Sequence, residues 1–490
     1  MTKNVRIAST FMALALLASA MISCGGESTD PGVNTDAAAS EADTTAAVVT
    51  EDPGPTPTLP EGADYGGHTV TFLTLTNYNN NFRLAVESDG ETLNDAGVRR
   101  NDAVSELLNV EFETVEMDNP ISTFRNSVMA GDTEYDFVLP HATDGVPGMV
   151  TDQLLYDWND LSYADLTKPW WNTTMTESLG IGGHLYYASG DIVMTWQGMQ
   201  AVLFNKSYLN GMDLQKDLYQ TCFDGEWTID YMTQIIKGHS KDLNGDGKMT
   251  EVDQYGLLCN KNAGYSYMYS CDQRVTVPDA EGWPMLTLNT ERMAEIVGKY
   301  YNLVHSGETY LDVYSNASYP SSTYRNTIVE GRSFLASLDV GGLYAQLREI
   351  EFDFGLLPMP KFDAAQENYR VFCGAGLIGV PINVPDPERT GVIAEALAYY
   401  SYKEIRPAFF DIVLENKAVR EENAYKVLQM MHENKVFDFG FNFDGTGYNL
   451  IKEVVVDKKS TDFASLYAKK EKVILNNFEK IINAVKEMDE

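Results

Sequence analysis

Basic side chains are scarce in this 490-residue sequence, which has 36 lysines and arginines against 71 aspartates and glutamates and a formal net charge of −35 at pH 7. Nucleic-acid binding depends on basic groups that displace counterions from phosphates, so this composition argues against a nucleic acid as partner. It argues equally against electrostatic docking on anionic lipid. Attachment to a membrane would therefore need an anchor other than surface charge.

Several catalytic signatures are also missing. The sequence contains no G-x-S-x-G, no H-E-x-x-H and no P-loop motif, and its 6 histidines are scattered. These are the signatures of α/β-hydrolases, zinc metalloproteases and P-loop nucleotide hydrolases. We therefore expect a protein that is not an enzyme. A secreted glycoside hydrolase stays open as an alternative, because it needs only two well-placed carboxylates among the 71 acidic residues.

Cysteine is rare, and the 5 cysteines show no metal-binding spacing. Four of them lie in the body of the chain, namely Cys222, Cys259, Cys271 and Cys373. Export would permit disulfides, but the spacing does not reveal their pairing. After the amino-terminal segment, no apolar run is long enough to cross a bilayer.

The first 24 residues have the layout of an export signal. Lys3 and Arg6 precede an apolar run over residues 7–22, which is too short for a comfortable membrane span. Cys24 follows a small residue, and this arrangement resembles the lipobox of bacterial lipoproteins, with methionine where leucine is usual. We expect residues 1–24 to be a lipoprotein signal peptide that ends at a lipidated Cys24.

Residues 25–60 are rich in Ala, Thr, Gly, Pro, Asp and Glu and have no hydrophobic periodicity. Such a composition predicts a disordered acidic linker. A flexible tether of this length reaches roughly 30–35 Å. It would hold a lipid-anchored domain near the membrane.

Strand-like and helix-like segments alternate from residue 62 onward. His68–Leu75, 111–116 and 135–139 read as strands, and amphipathic helices are predicted over 97–110 and 121–130. This alternation predicts an α/β fold with a parallel sheet.

Ligands of open parallel sheets bind beyond the carboxyl ends of the strands. Asn77 and Tyr78 follow the first predicted strand, and His141 and Asp144 follow the third. These four residues are candidates for contact with a ligand. The alternative is that they are ordinary loop residues.

The segment His184–Lys206 contains polar groups and one large ring between two strand-like runs. Asp191 is the candidate acceptor for ligand hydroxyl groups, Trp196 the candidate stacking platform, and Gln197 an additional polar contact. The alternative is an ordinary hairpin with a bulged, partly buried tryptophan.

A PWW cluster that contains Trp170 and Trp171 precedes this segment. Aromatic rings stack on the apolar faces of sugars, so both are candidate ligand contacts. Tryptophan is more often a core anchor than a platform, and this reading also stays open.

The stretch DLNGDGKMTEVD, residues 242–253, has the spacing of a twelve-residue calcium loop. The predicted ligands of a structural Ca²⁺ are Asp242, Asn244, Asp246, the backbone carbonyl of Lys248, and Asp253. Aspartate at the last position is shorter than the usual glutamate, and dockerin-type loops are similar in this respect. The alternative is a solvated Asx/Gly turn without metal.

The order of several segments resembles family 1 extracellular solute-binding proteins, the lipoprotein receptors of ABC importers in Gram-positive bacteria. These segments are, in chain order, YDFV, KPWWN, GEWTID, DLNGDGKMTEVDQYGL, EGRSFLAS, DFGLLPMPK, VPDPERTGVIAEALAYYS and ENKAVREENAYKVLQMM. The resemblance covers nearly all of the chain after residue 62.

The resemblance implies a two-lobed, periplasmic-binding-protein-like fold of type II, with hinge crossings and a helical C-terminal part. Lobe 1 would comprise residues 61–200 plus 328–370, and lobe 2 would comprise 201–327 plus 371–490. The implied crossings fall near residues 198–201, 329–334 and 372–379.

The resemblance also implies the function. It describes a monomeric receptor, lipid-anchored at the extracellular face of the cell membrane, that binds a sugar or oligosaccharide and delivers it to ABC permease subunits. A carbohydrate-active hydrolase and a calcium-loop adhesion or scaffold protein are the alternatives. The single calcium loop counts against the scaffold, because dockerins carry paired loops.

Overall fold

The computed structural model describes residues 54–76, 82–140, 142–143, 145–314, 321–346, 349–374, 376–415, 422–443 and 445–488. The expected signal peptide, its Cys24 and most of the expected linker lie outside these residues. Within the described part of the chain, no helix combines the length and the apolar character that a membrane span requires.

The first sheet has three parallel strands in the order β2-β1-β3. Its elements are β1 (His68–Leu75), α1 (Thr92–Leu108), β2 (Val110–Met117), α2 (Pro120–Ala130) and β3 (Phe137–Leu139). Helices α3 (Val146–Thr151) and α4 (Thr173–Leu179) follow. The predicted alternation of strands and helices is confirmed.

Local signals explain where the helices of this lobe begin and end. Asn109, with φ of 50°, ends α1 in the left-handed conformation. Asn119 caps α2 by accepting a hydrogen bond from the backbone N–H of Ser122, and Gly131, with φ of 81°, ends it. These short connections place α1 and α2 as crossovers between parallel strands.

The second sheet has five strands in the order β10-β4-β9-β5-β8. Its lobe contains β4 (Gln200–Asn205), α5 (Leu218–Phe223), α6 (Ile229–Ile235), β5 (Tyr255–Asn260), α7 (Ala263–Ser270), β6 (Thr276–Pro278), β7 (Pro284–Leu286), α8 (Glu291–Val304), β8 (Thr309–Asp312), α9 (Ser322–Val329), β9 (Ser333–Asp339), α10 (Val340–Gln346) and β10 (Phe354–Pro358). Strands β5, β8 and β9 are parallel, whereas β4 is antiparallel to β9 and β10.

The remaining elements are β11 (Val371–Phe372), α11 (Pro387–Tyr400), α12 (Arg406–Glu415), α13 (Glu422–Glu433), β12 (Lys435–Val436), α14 (Phe439–Asn442), α15 (Leu450–Lys452) and α16 (Phe463–Lys486). A π-helical turn at Ser401–Ile405 joins α11 to α12. The last part of the chain is therefore mostly helical, as predicted.

The lobe boundaries differ from the prediction in two places. Residues 328–370 contribute β9 and β10 to the second sheet, so they belong to lobe 2 and not to lobe 1. Residues 387–415 instead pack on α1 of lobe 1, where Arg100 donates a hydrogen bond to the Ser401 hydroxyl over 3.2 Å. Strand pairing decides the assignment of residues 328–370, and side-chain packing decides that of residues 387–415. The order of sequence segments along the chain reveals neither.

Two antiparallel segments cross between the lobes. The first crossing segment, residues 188–199, leads into β4, and the second crossing segment, residues 373–379, follows β11. Ala188 and Ile378 exchange two backbone hydrogen bonds of 2.9 and 3.0 Å, and Met199 is bridged to Cys373. These coincide with the predicted crossings near 198–201 and 372–379. The predicted crossing near 329–334 is wrong, because this stretch is the turn from α9 into β9 within lobe 2.

The second crossing segment contains Gly374, Gly376 and Gly379, a glycine spacing that also occurs in dinucleotide-binding loops. Here the glycines serve close packing between segments. A Cβ at Gly376 would lie 2.6 Å from the Phe82 ring, and one at Gly379 would lie 2.9 Å from Leu155. The next helix begins only at Pro387, so the strand–turn–helix context of a dinucleotide site is absent.

The four cysteines of the body are buried free thiols. Burial raises the pKa of the Cys259 thiol to about 11 and the pKa values of Cys222, Cys271 and Cys373 to about 12. The reactive thiolate is therefore suppressed at neutral pH.

We expect these four cysteines to resist alkylation in the native protein and to react fully in denaturant without any reductant. Peptide mass spectrometry after iodoacetamide treatment measures this difference. A disulfide between any two of them would leave that pair unlabelled in denaturant and would contradict the structure.

Candidate functional site

In open α/β sheets, ligands usually bind beyond the carboxyl ends of the strands. In the second sheet, β5, β8 and β9 end in the polar residues Asn260, Asp312 and Asp339. The segment after β3 reaches this lobe, because the side-chain amide of Asn442 donates a 2.8 Å hydrogen bond to the Ala142 carbonyl. Strand ends of both lobes therefore meet in one region.

The polar residues at these strand ends organise the turns that follow them. The Asn260 amide oxygen accepts a hydrogen bond from the backbone N–H of Asn262 over 2.9 Å. Asp339 accepts one from the backbone N–H of Gly342 at the start of α10. These bonds fix the backbone around the cleft.

Four aromatic side chains form a cluster here, which we call the aromatic wall: Tyr265, Phe372, Phe441 and Tyr448. The Tyr265 ring centroid lies 5.2 Å from that of Phe372 and 5.4 Å from that of Phe441. Tyr448 lies 4.9 Å from Phe441. The phenylalanines are buried and the tyrosines half-buried, so part of each tyrosine ring is accessible.

The aromatic wall is fixed to the crossings. Phe372 lies in β11, at the start of the second crossing segment, and the backbone N–H of Gly374 donates a 3.3 Å hydrogen bond to the Gly198 carbonyl of the first. Burial raises the pKa of Tyr265, so its hydroxyl group stays protonated and can donate a hydrogen bond.

Three ligand contacts are predicted in the segment 191–197, namely Asp191, Trp196 and Gln197. Of these, Gln197 packs against lobe 2. A Cβ at Gly341 of α10 would lie 3.1 Å from the Gln197 Cβ, which shows how closely the two segments pack. Gln197 is half-buried at the carboxyl end of β9. Its contact with a ligand stays a prediction.

Asp191 occupies a different environment from the one predicted. Both of its carboxylate oxygens accept hydrogen bonds from the Arg406 guanidinium, one from Nε over 2.9 Å, and Oδ1 also accepts a 3.2 Å hydrogen bond from the Trp196 indole. Burial raises the pKa of Asp191, and the Arg406 guanidinium opposes this shift. The carboxylate is thus engaged by the protein itself. It also lines a cavity together with Trp170, Trp171 and Trp196, and its contact with a ligand stays a prediction.

The Trp196 ring belongs to the core, contrary to its predicted role as a platform. The side chain is 0% exposed, and the Phe409 ring lies over it with a centroid distance of 3.9 Å. A sugar would have to displace Phe409 to stack there. The partly buried hairpin tryptophan, left open as the alternative, is closer to what the structure shows.

Trp170 and Trp171 are also anchored inside the protein. Both indoles donate hydrogen bonds to the buried Glu395 carboxylate of α11, over 3.0 and 2.7 Å. Burial raises the pKa of Glu395 to about 7, while the indole donors act in the opposite direction. The pair ties the PWW cluster to α11, which explains why α11 packs with lobe 1.

Four predicted ligand residues, Asn77, Tyr78, His141 and Asp144, lie outside the described residues. The strands that precede them do end at this cleft, since β1 ends at Leu75 and β3 at Leu139. Their contact with a ligand stays a prediction.

The predicted calcium loop is an exposed turn closed by a bridge between Lys241 and Gln254. The Asp242 carboxylate accepts hydrogen bonds from the backbone N–H groups of Gly245 and Gly247, over 2.7 and 2.8 Å. Asp253 accepts further backbone N–H groups within the loop. Among the described residues, no three His, Cys, Asp or Glu side chains are grouped as metal ligands, so the calcium site stays a prediction.

No protein-family model and no curated protein sequence matches this chain. Solved structures do match it. One is a cyclo/maltodextrin-binding protein complexed with maltotetraose, with a TM-score of 0.51, 15% identity, and coverage of 85% of this chain and 97% of the other. Another is an ABC transporter solute-binding protein from Thermotoga lettingae bound to α-D-tagatose, with a TM-score of 0.53, 13% identity, and coverage of 85% and 100%.

This chain has the fold of ABC transporter solute-binding proteins. The predicted two-lobed α/β fold is therefore confirmed. At identities of 15% and 13%, the similarity to these structures is a similarity of fold.

The aromatic wall contains tyrosine and phenylalanine and no tryptophan, so no tryptophan motif marks it in the sequence. Tyr265 lies in the run YSYMY directly after β5, so the strand-end rule applied to lobe 1 would have found it in lobe 2. Phe372, Phe441 and Tyr448 join it from distant parts of the chain, and no local pattern marks them.

We expect Trp196→Ala to lower the free energy of unfolding by about 3–5 kcal/mol, the usual cost of deleting a buried tryptophan. Urea denaturation followed by circular dichroism measures the change. Trp283→Ala is the matched control, because Trp283 is half-buried and should cost clearly less. Equal losses in the two variants would contradict the core assignment of Trp196.

Proposed function

We propose that this protein is the solute receptor of an ABC importer and binds a neutral sugar or oligosaccharide in the cleft between its lobes. One observation carries the proposal: 85% of the chain shares its fold with solute-binding proteins whose structures contain maltotetraose and tagatose. A non-catalytic role agrees with this fold and with the missing catalytic motifs.

The chemistry of the aromatic wall supports a sugar. A sugar offers no net charge, so its affinity must come from ring stacking and from hydrogen bonds in a cleft that excludes water. Tyr265 and Tyr448 would offer both, and Gln197 would add an amide. A micromolar dissociation constant corresponds to about 8 kcal/mol, within reach of one or two stacked rings and several paired hydroxyl groups.

The acidic character of the chain supports a neutral ligand over an anionic one in this cleft. Its net charge of −35 repels anions at long range. Asp312 and Asp339 at the strand ends add local negative charge.

Membrane attachment forms part of the same proposal. Export by the signal peptide, lipidation of Cys24 and the acidic linker would hold a monomeric receptor at the extracellular face of the cell membrane. There it would release its solute to the permease subunits. These steps rest on the amino-terminal sequence, which lies outside the described residues.

A panel of mono- and oligosaccharides in a thermal-shift assay tests the binding function. We expect at least one sugar to raise the melting temperature and Tyr265→Ala to weaken its affinity at least tenfold, because the variant loses the stacking ring. Calorimetry on the sugar that stabilises the protein measures this affinity.

Tyr425→Ala is the matched control, since Tyr425 is an exposed tyrosine on α13. It should bind the sugar like the wild type. Tyr265→Phe keeps the ring and removes the hydroxyl group, so it measures the contribution of the hydroxyl group to affinity. It also gives a variant with little change in packing if the alanine variant misfolds. Release of reducing ends from an oligosaccharide would overturn the receptor proposal in favour of a hydrolase.

We also propose that residues 242–253 bind a structural Ca²⁺. The oxygen spacing supports it, and Gly247, with φ of 79°, adopts the left-handed conformation that suits a sharp loop turn. The ligands would be those predicted from the sequence, with Lys248 contributing its carbonyl.

Calcium should raise the melting temperature of the wild type relative to chelator, and magnesium should do so much less, because Mg²⁺ demands a smaller octahedral site. Asp246→Ala should abolish the calcium effect. Metal analysis of the dialysed protein gives a second readout. An unchanged melting temperature together with no bound calcium would overturn this assignment.

A further inference from the structure

A cavity of about 330 Å³ shares no lining residue with the aromatic wall. It is lined by Trp171 and Asn172 of lobe 1, by Arg406 of α12 and by Lys435 of β12. Its lining combines buried residues such as Trp171 with exposed ones such as Thr173. Its volume is at the lower end of the range for small-molecule sites.

Three cations, Lys168, Arg406 and Lys435, and two carboxylates, Asp191 and Glu433, line this cavity. Lys168 pairs with Asp165 over 3.6 Å. Arg406 is neutralised by Asp191, with which it forms a two-bond ion pair. Lys435 forms no ion pair with any carboxylate among the described residues, and its ammonium group donates to the His432 backbone carbonyl. Burial lowers the pKa of Lys435 to about 8, so the ammonium form still prevails at neutral pH.

One polar side-chain atom at the same cavity lacks a hydrogen-bond partner among the described residues. The Nδ1 atom of His432 is buried and has no hydrogen-bond partner in the described part of the chain. Burial lowers the pKa of His432 to about 2, so the ring is neutral and can offer an N–H donor without adding charge. Buried polar groups are normally satisfied, so this atom requires an explanation.

We propose that this cavity binds the oxyanion group, carboxylate or phosphate, of a small molecule, with Lys435 as its ion partner and His432 as a hydrogen-bond donor. An anion would pair with the Lys435 ammonium group, which forms no ion pair in the described part of the chain. The cavity shares no lining residue with the aromatic wall, so the proposal does not depend on the proposed function.

The cavity has walls from both lobes, since α13 packs on β10 of lobe 2 and Trp171 belongs to lobe 1. A ligand that contacts both walls favours the lobe arrangement in which they are adjacent. By linkage, the anion and the cleft solute would then change each other's affinity by the same factor.

Titration with citrate and with inorganic phosphate tests the site, using sodium chloride at matched ionic strength as reference. We expect a saturable rise in melting temperature and a change in tryptophan fluorescence, because Trp170, Trp171 and Trp196 line the cavity. Lys435→Met should weaken the apparent affinity at least tenfold. A response to citrate alone would indicate carboxylate recognition, and a response to phosphate alone would indicate phosphate recognition. A response to both would indicate a site that accepts either oxyanion.

Lys435→Met should be at least as stable as the wild type without anion, because it removes a desolvated charge that lacks a partner. A purely structural lysine would instead leave the variant less stable. Lys472→Met, on the exposed face of α16, is the matched control and should keep the wild-type response. Lys435→Gln serves if the methionine variant misfolds. A saturable response unchanged in both Lys435 variants, or a wild-type response no larger than that to chloride, would overturn the proposal.

Discussion

The pairing of the two crossing segments is the constraint on which the rest of the structure depends. Backbone hydrogen bonds between Ala188 and Ile378, and between Gly374 and Gly198, hold the segments in one antiparallel register. This register decides which side chains face lobe 1, lobe 2 or the cleft. A slip of one residue would exchange the faces, as in any extended pair.

The ion pair between Asp191 and Arg406 reinforces that register from the side. It ties the first crossing segment to α12, and the Trp196 indole joins it as a third partner. Burying an ion pair of this kind costs desolvation energy. Loss of one partner leaves the other charge buried without compensation, which strongly destabilises the folded protein. Its clearest consequence is positional, because it directs Asp191 and Trp196 toward Arg406 while Gln197 packs against Gly341 in lobe 2.

Two distinct environments result from this arrangement. The aromatic wall offers ring surface and hydroxyl groups next to carboxylates, which suits a neutral polyhydroxyl ligand. The cavity at Lys435 offers a cation and an unsatisfied ring nitrogen, which suits an anion. One protein can hold both chemistries because the two sets of lining residues do not overlap.

The strand and helix order of lobe 1 could be predicted because each element carries its own periodicity and caps, such as Asn119 and Gly131. The assignment of residues 328–370 to a lobe could not be predicted. A buried strand such as β9 has the same hydrophobic pattern in either sheet, so its sequence does not reveal where it pairs. Among the candidate site residues, Gln197 alone of the 191–197 set faces lobe 2. Asp191 and Trp196 have the residue types of a sugar site, yet their partners Arg406 and Phe409 lie more than 200 positions away in the chain.

The sequence by itself determined the fold class and the acidic character of the protein, because periodicity and composition are local or summed properties. Only the tertiary structure decided which aromatic rings line the cleft and which are buried. Ring exposure depends on contacts between distant segments, as when Glu395 binds the indoles of Trp170 and Trp171. A tryptophan has the same side chain in a core and in a binding site, and the neighbours that fold against it decide between the two.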